Sequence, residues 1–369
     1  MDSKNRKRPA EVVHPGVYIR DELEARGWSQ VDLSEILGRP PRLVNELIGG
    51  GRSISPETAR GLSEAFGTSA DVWMNLQSAY NLWHSEAQDD DVARRARLYS
   101  IAPVRELIKR GWIEGSESID LLERQISDLL EMPSIDHKPK LAAAARTPLE
   151  EVTTSQVCWF FRAKKLGKIA HAKRFTSRRL EACLANLRPL MIAPEEARHV
   201  PRVLAEAGIR FVVIEPLQKS RIDGATIWLD KQTPVVALSM RYDRIDWFWH
   251  TLLHELEHVR RRHNFLDLEI GKHKDNEQEN QADTAAQENL IPRDKFEDFV
   301  ARVSPLYSKI SIRGFATLMG VHPGIVVGRL QFGDEISYAH NRAMLAKIRH
   351  HVVQSALTDG WGSLLPSGI

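Results

Sequence analysis

The chain has 369 residues, 27% of them charged and 42% hydrophobic, enough for two or three domains with sizeable cores. The formal net charge of +2 excludes bulk attraction to nucleic acid, so any DNA-binding face must come from local charge. The two cysteines, Cys158 and Cys183, form no CxxC pair, which argues against a thiolate zinc site or a disulfide scaffold and fits a reducing compartment.

Residues 1–13 read as a basic N-terminal arm without the apolar stretch of a secretory signal. No run approaches the ~20 apolar residues of a membrane span. The expectation is a cytoplasmic protein with no membrane contact.

Five short helices are predicted next. The first opens at Pro15 and stops at Gly27. Ser29 caps the second, which carries Leu33, Ile36 and Leu37 and ends at Gly38. Pro40 and Pro41 suit the first turn of the third, which ends in Gly49-Gly50-Gly51. Ser55 caps the fourth, from Pro56 to Phe66, and the fifth runs from about Ser69 to Trp83, with Trp73 and Trp83 expected in the core. These helices define a domain at 14–84. A helical connector is expected over 85–150, with breaks at Gly111 and Gly115 and a linker at His137 to Pro148.

Two or three helices follow to about Ala207. Ile209 to Glu215, Ala225 to Leu229 and Val235 to Ser239 then read as short strands. A long helix begins near Arg244 and passes Arg260. Further helices are predicted at about 275–290, 294–302, 311–319 and 324–330. This second domain is placed at 151–335, with a C-terminal helix and tail at 336–369. The fold class is mainly α with a small β-sheet (α+β).

Two motifs carry chemistry. The helices at about 30–37 and 40–48, joined by a tight Gly-containing turn, have helix-turn-helix spacing. The second of them exposes Arg39, Arg42, Asn45 and Glu46. Arg and Asn suit guanine and adenine edges. Arg52 and Arg60 are candidates for phosphate contact. A five-helix structural domain with solvated charges has the same spacing.

The other motif is HELEH, His254 to His258. Histidines at i and i+4 lie on one helix face and can reach one ion, while Glu255 is placed to take a proton from an attacking water. Asn264 occupies the position of a metzincin third histidine. The gluzincin-like alternative is a glutamate on a later helix. Glu279 supplies it in the run Glu279-Asn280-Gln281-Ala282-Asp283, and Asp283 can orient a ligand histidine. The expected metal is Zn2+, with Mn2+ as the alternative. Three strong ligands leave an open position, which favours catalysis over a structural or vestigial site. His250 reads as a packed histidine, and His263 and His273 as surface residues. Tyr242 is a candidate oxyanion donor. Arg260, Arg261 and Arg262 read as a solvated helix end, and Ser308 to Gln331 as a helical hairpin with helix-turn-helix rhythm.

Both motifs sit in stretches that resemble known families. His14 to Trp83, with HPG at its start, SQ opening the second helix, ISPETA and FGTSADVWMNLQ, resembles the HigA-type antitoxin branch of the Cro/repressor (XRE) helix-turn-helix family. That resemblance implies operator DNA as partner, a homodimer, and a ribonuclease toxin neutralised by many members. Pro40 and Pro41 depart from the family's more usual Ser and Arg. Gly224 to Pro292, with HELEH and ENQAD, resembles the ImmA/IrrE metallopeptidase family, more weakly from Val203 and on to Gln331. That resemblance implies zinc held by His254, His258 and Glu279, Glu255 as general base, and a repressor-like protein substrate. Glu257 and Gln281 depart from its pattern. The rival expectation is a non-enzymatic antitoxin whose second domain is a sensor or relic.

Overall fold

The computed structural model describes residues 12–84, 91–137, 139, 152–263, 265–268 and 277–360. The basic arm at 1–11, most of the expected linker, His273 and the tail at 361–369 lie outside them. The chain divides into two units, Met1–Val92 and Ala93–Ile369.

The first unit holds α1 (Pro15–Arg26), α2 (Gln30–Leu37), α3 (Pro41–Ile48), α4 (Pro56–Phe66) and α5 (Ala70–His84). Short-range chemistry sets these bounds. The His14 ring accepts from the Gly16 N–H, Ser29 forms a capping box with Asp32, and Ser55 accepts from the Thr58 N–H. Gly27, Gly38 and Gly67 end their helices in the left-handed conformation. Ile19, Leu33, Val44, Leu47, Leu62 and Trp73 close the core. Trp83, expected in the core, is 45% exposed. Ile36 is likewise exposed.

The division falls between Val92 and Ala93, in the first turn of α6 (Asp91–Ile101). The second unit continues with α7 (Val104–Lys109), α8 (Ile119–Leu129), α9 (Thr154–Ile169), α10 (Ser177–Leu187) and α11 (Val200–Ala207). Then come β1 (Arg210–Val213), β2 (Ile222–Trp228), β3 (Pro234–Leu238), α12 (Ile245–Arg261), β4 (Phe265–Leu268) and α13 (Glu277–Leu290). It closes with α14 (Arg293–Val303), α15 (Lys309–Met319), α16 (Pro323–Phe332), α17 (Arg349–Val353) and β5 (Leu357–Thr358).

The sheet order is β4-β2-β3-β1-β5. β1 pairs parallel with β3 and β5, and β2 pairs antiparallel with β3 and β4. β1 and β3 read as continuous apolar runs because the sheet is covered on both faces. Val212, Val235 and Ala237 face one core with Trp159 of α9 and Leu98, Leu107 and Leu122 of α6 to α8. Phe211, Val236 and Leu238 face the other, with Trp249 and Leu252 of α12 and Ile325 and Leu330 of α16.

Two boundaries therefore differ from the sequence reading. The helices at 91–129 are part of the second unit's core rather than a connector, since their apolar stripes pack with α9 onto the sheet. The C-terminal segment is not only helix and tail: Leu357–Thr358 adds a strand beside β1. The structure is mostly helical with a small mixed sheet, as expected for α+β. Among the described residues no single helix is long and apolar enough to cross a membrane.

Candidate functional site

In the first unit, α2 and α3 form the helix-turn-helix, and the HPG motif explains how α3 is held. His14 caps α1, Pro15 is its first residue, and a Cβ on Gly16 would stand 2.5 Å from the Ile48 carbonyl oxygen. The end of α3 thus rests directly on the start of α1. The buried Gln77 accepts from the Ile54 N–H at 2.8 Å, fixing the loop after α3 against α5.

Arg39, Arg42, Asn45, Arg52 and Arg60 are exposed, while Val44, Leu47 and Ile48 are buried. α3 therefore shows one polar face to solvent. Glu46 sits between two of the cations. Its carboxylate takes Arg42 at 2.8 Å and Arg52 at 3.9 Å. Arg39 pairs with Glu57. The proline pair leaves α3 without a side-chain cap hydrogen bond. The residues sequence reasoning chose are thus exposed on or beside one short helix, but Arg39, Arg42 and Arg52 are engaged with carboxylates.

In the second unit, α12 and α13 bring three donors together. His254, His258 and Glu279 are buried, and their ligating atoms all lie within 4.8 Å of one another. The two Nε2 atoms are 3.0 Å apart, and stand 3.2 and 3.5 Å from the Glu279 carboxylate oxygens. His254 and His258 are one turn apart on α12, and Glu279 opens α13. Asp283, one turn further on α13, lies 2.9 Å from His254 Nδ1. An Nδ1–H donated to that carboxylate leaves Nε2 as a lone-pair donor facing the other two. Two imidazole nitrogens and a carboxylate converging out of water are the donor set a divalent cation such as zinc takes. The residues fit that ion.

Glu255 is fully buried. Thr226 Oγ1 on β2 donates to its Oε2 at 2.7 Å. A Cβ on Gly224 would stand 2.1 Å from its Oε1. The Glu255 carboxylate thus fills the space that a side chain at 224 would occupy, which fixes it beside the donors. Sequence reasoning missed Thr226 and Gly224 because their role exists only across the β2–α12 contact. The one available signal was a glycine inside a strand.

His250 is one turn before His254, with Nε2 3.9 Å from Asp283 Oδ1, and burial pushes its pKa down to about 4 despite that carboxylate. His263 is not simply a surface residue: its Nδ1 is 3.2 Å from His258 Nδ1. Tyr242 is exposed and lies edge-on to Trp247. Arg260 and Arg261 are not merely solvated, because both bind the Glu257 carboxylate, at 2.6 to 2.8 Å. Burial would raise that carboxyl, but the two guanidiniums outweigh it and hold it below the usual range. Glu257 is therefore neutralised within its own helix. Gln281 donates to Glu277 at 3.0 Å. α16 cannot enter a DNA groove, since Ile325, Val326, Val327 and Leu330 bury it.

A buried three-helix packing around α3 with an exposed Arg/Asn face defines a helix-turn-helix DNA-binding protein. Residues 19–73 match the helix-turn-helix family. Virulence-associated protein I of Dichelobacter nodosus is 33% identical over 87 residues, 23% of this chain and 81% of that protein. Antitoxin HigA-1 of Vibrio cholerae is 30% identical over 92 residues, 25% of this chain and 84% of that protein. Among solved structures, the Pseudomonas aeruginosa antitoxin HigA with the higBA promoter is 38% identical. It matches 21% of this chain and 85% of its own, with a TM-score of 0.20. Through its first unit the chain belongs to the helix-turn-helix family of transcriptional regulators that includes HigA-like antitoxins.

Proposed function

We propose that the chain is a DNA-binding regulator whose second unit is a zinc-dependent endopeptidase of the gluzincin-like HExxH type, acting on a repressor-like protein. The observation that carries the reading is the convergence of His254, His258 and Glu279 with Glu255 fixed alongside. A zinc ion held by these three would act as a Lewis acid toward a scissile carbonyl and bring the pKa of water toward ~7. Glu255 takes the proton of the attacking water and passes it to the leaving amine. Thr226 and the bare Gly224 keep its carboxylate in place, and Asp283 fixes the His254 ring. The likeness of Gly224 to Pro292 to the ImmA/IrrE family supports the same reading. The first unit brings the chain, as a homodimer, to operator DNA, so cutting a repressor there would release the genes it covers.

The test is metal content and cleavage together. Wild type carries about one zinc per chain, Glu279→Ala loses it, and Glu255→Gln keeps it. Cleavage of a co-encoded helix-turn-helix repressor, or of the chain's own linker, falls ~10²–10⁴-fold in Glu255→Gln. A wild type that cannot be loaded with zinc or manganese ends the peptidase reading. A second reading, that of an antitoxin whose second unit is a sensor, is favoured by the likeness to antitoxin HigA-1. Co-purification with a small ribonuclease-like toxin, without proteolysis, would select it.

A further inference from the structure

Between residues 152 and 180 the chain carries eight lysines and arginines and no aspartate or glutamate. A molecule with a net charge of only +2 thus gathers cations on the end of α9, the start of α10 and the loop that joins them. Three of the eight are engaged within the second unit. The Arg162 guanidinium lies over the Trp112 ring at 5.5 Å, and Lys164 and Lys168 both bind Glu131. The other five, Lys165, Lys173, Arg174, Arg178 and Arg179, are exposed and form no ion pair among the described residues.

The loop that bears most of them is anchored. Phe175 is buried and meets the Trp228 ring edge-on at 5.4 Å, and the Lys173 N–H donates to the Ala205 carbonyl at 2.9 Å. A Cβ on Gly208 would stand 2.5 Å from the Phe175 Cα, so the loop lies flat on that glycine. Arg174 Nε donates to Gln232 in the β2–β3 turn at 3.0 Å. Arg262, at the end of α12, donates to the Lys231 carbonyl at 2.9 Å and lies over the Trp228 ring at 5.1 Å. These contacts join loop, turn and helix end into one surface, on which Lys173, Arg174, Arg178, Arg179, Lys231 and Arg262 are exposed. Their hydrogen bonds go to amide and carbonyl oxygens, so none neutralises the cation that makes it. The acids of these segments are fewer. Asp230 accepts the Gln232 N–H at 2.7 Å and sits near Arg210, Glu181 lies near Arg260, and Glu257 is held by Arg260 and Arg261.

We propose that this surface of the second unit binds the phosphate backbone of duplex DNA, as a sequence-independent contact in addition to the reading helix of the first unit. Exposed arginines and lysines without a carboxylate partner are the groups that take phosphate oxygens, and a fixed loop presents them with little ordering left to do. Duplex DNA is the polyanion this chain brings to itself, because its first unit matches a DNA-binding family and the tether raises the local concentration of duplex at the second. Binding of this kind releases condensed counterions, so it is strong in low salt and fades as salt rises. The surface does not rest on the metal reading, although Arg262 directly precedes His263, whose ring meets His258.

The test is fluorescence anisotropy of the full-length chain on a labelled duplex of mixed sequence, titrated from ~50 to ~200 mM salt. Lys173→Gln, Arg178→Gln and Lys231→Gln are combined, because these three side chains make no hydrogen bond among the described residues and circular dichroism can confirm that the fold is kept. The triple variant binds ~10-fold more weakly at the lowest salt, and its slope of log affinity against log salt falls by ~2–3. In a chain that also carries Arg42→Ala and Asn45→Ala, the residual binding is lost with the same three substitutions. Affinity and slope equal to wild type, or no binding of the duplex by wild type at the lowest salt, overturns the proposal. Polyglutamate forms the second arm: loss of polyglutamate binding with DNA binding unchanged assigns the surface to an acidic protein and overturns the DNA contact. Should the triple variant fail to fold, Arg178→Gln alone decides, by a slope lowered by ~1. The salt dependence is read with and without a chelator, and a chain that holds no zinc yet keeps it ends the peptidase reading while leaving this contact standing.

Discussion

Gly224 and Glu255 show how closely one side chain here is fitted to another. A methyl group at 224 would occupy the place of the Glu255 carboxylate. Gly224→Ala must therefore displace that carboxylate or the strand, at a cost of ~1–3 kcal/mol for an overpacked interior. The expected outcome is a lower melting temperature and lost proteolysis with metal content unchanged, because none of the three donors is touched. Full activity in Gly224→Ala would place the carboxylate elsewhere in the working protein. The convergence of the three donors and the place of Asp283 were legible in the sequence because i to i+4 spacing on a helix is a local property. Gly224, Thr226 and the His258–His263 contact were not, because nothing in local periodicity records which strand a helix covers or how a helix end folds back.

The helices tell a similar story about short-range and long-range information. α4 begins and ends where Ser55, Pro56 and Gly67 say it must, since caps and breakers act within a few residues. β5 is two residues long and exists because Val212 and Val213 offer it a partner about 145 residues earlier, so no window of sequence could announce it. The same limit hid the role of α6 to α8, whose apolar stripes were visible while their target was not. At this scale the DNA-binding face makes its own predictions. Glu46 holds Arg42 and Arg52 in ion pairs, which are weak on a surface but must be exchanged for DNA contacts. Glu46→Gln is expected to tighten operator binding in a gel-shift titration, and Arg42→Ala to weaken it by ~1–3 kcal/mol. Unchanged affinity in both variants would move the reading face off α3. Leu62, fully buried in α4, should cost ~2–5 kcal/mol when replaced by alanine, measured by thermal or denaturant unfolding.

Across the whole chain, the core of residues 19–73 shares no member with the two cores that flank the sheet. Separate cores unfold separately when little joins them. Calorimetry should therefore resolve two transitions, and on the proposed reading zinc should raise only one of them, by mass action on the unit that carries the three donors. Operator DNA should raise the other. Glu279→Ala should abolish the zinc response and leave the DNA response intact. A single transition shifted by both ligands would show that the two units unfold as one.

The donor set is shared between helices: two side chains come from the C-terminal half of α12, and the third comes from the first turn of α13. A cation held there would also be a cross-link between two segments of backbone, as a disulfide would be. The opening turn of α13 is where that link should be felt, because helix ends fray first. Amide exchange at Glu277–Asp283 is thus expected to quicken when a chelator is added, while Leu252–Val259, packed on the sheet, stays slow. A bound ion would then decide whether α13 begins at Glu277 or a turn later, and so how firmly the carboxylates at 279 and 283 are held.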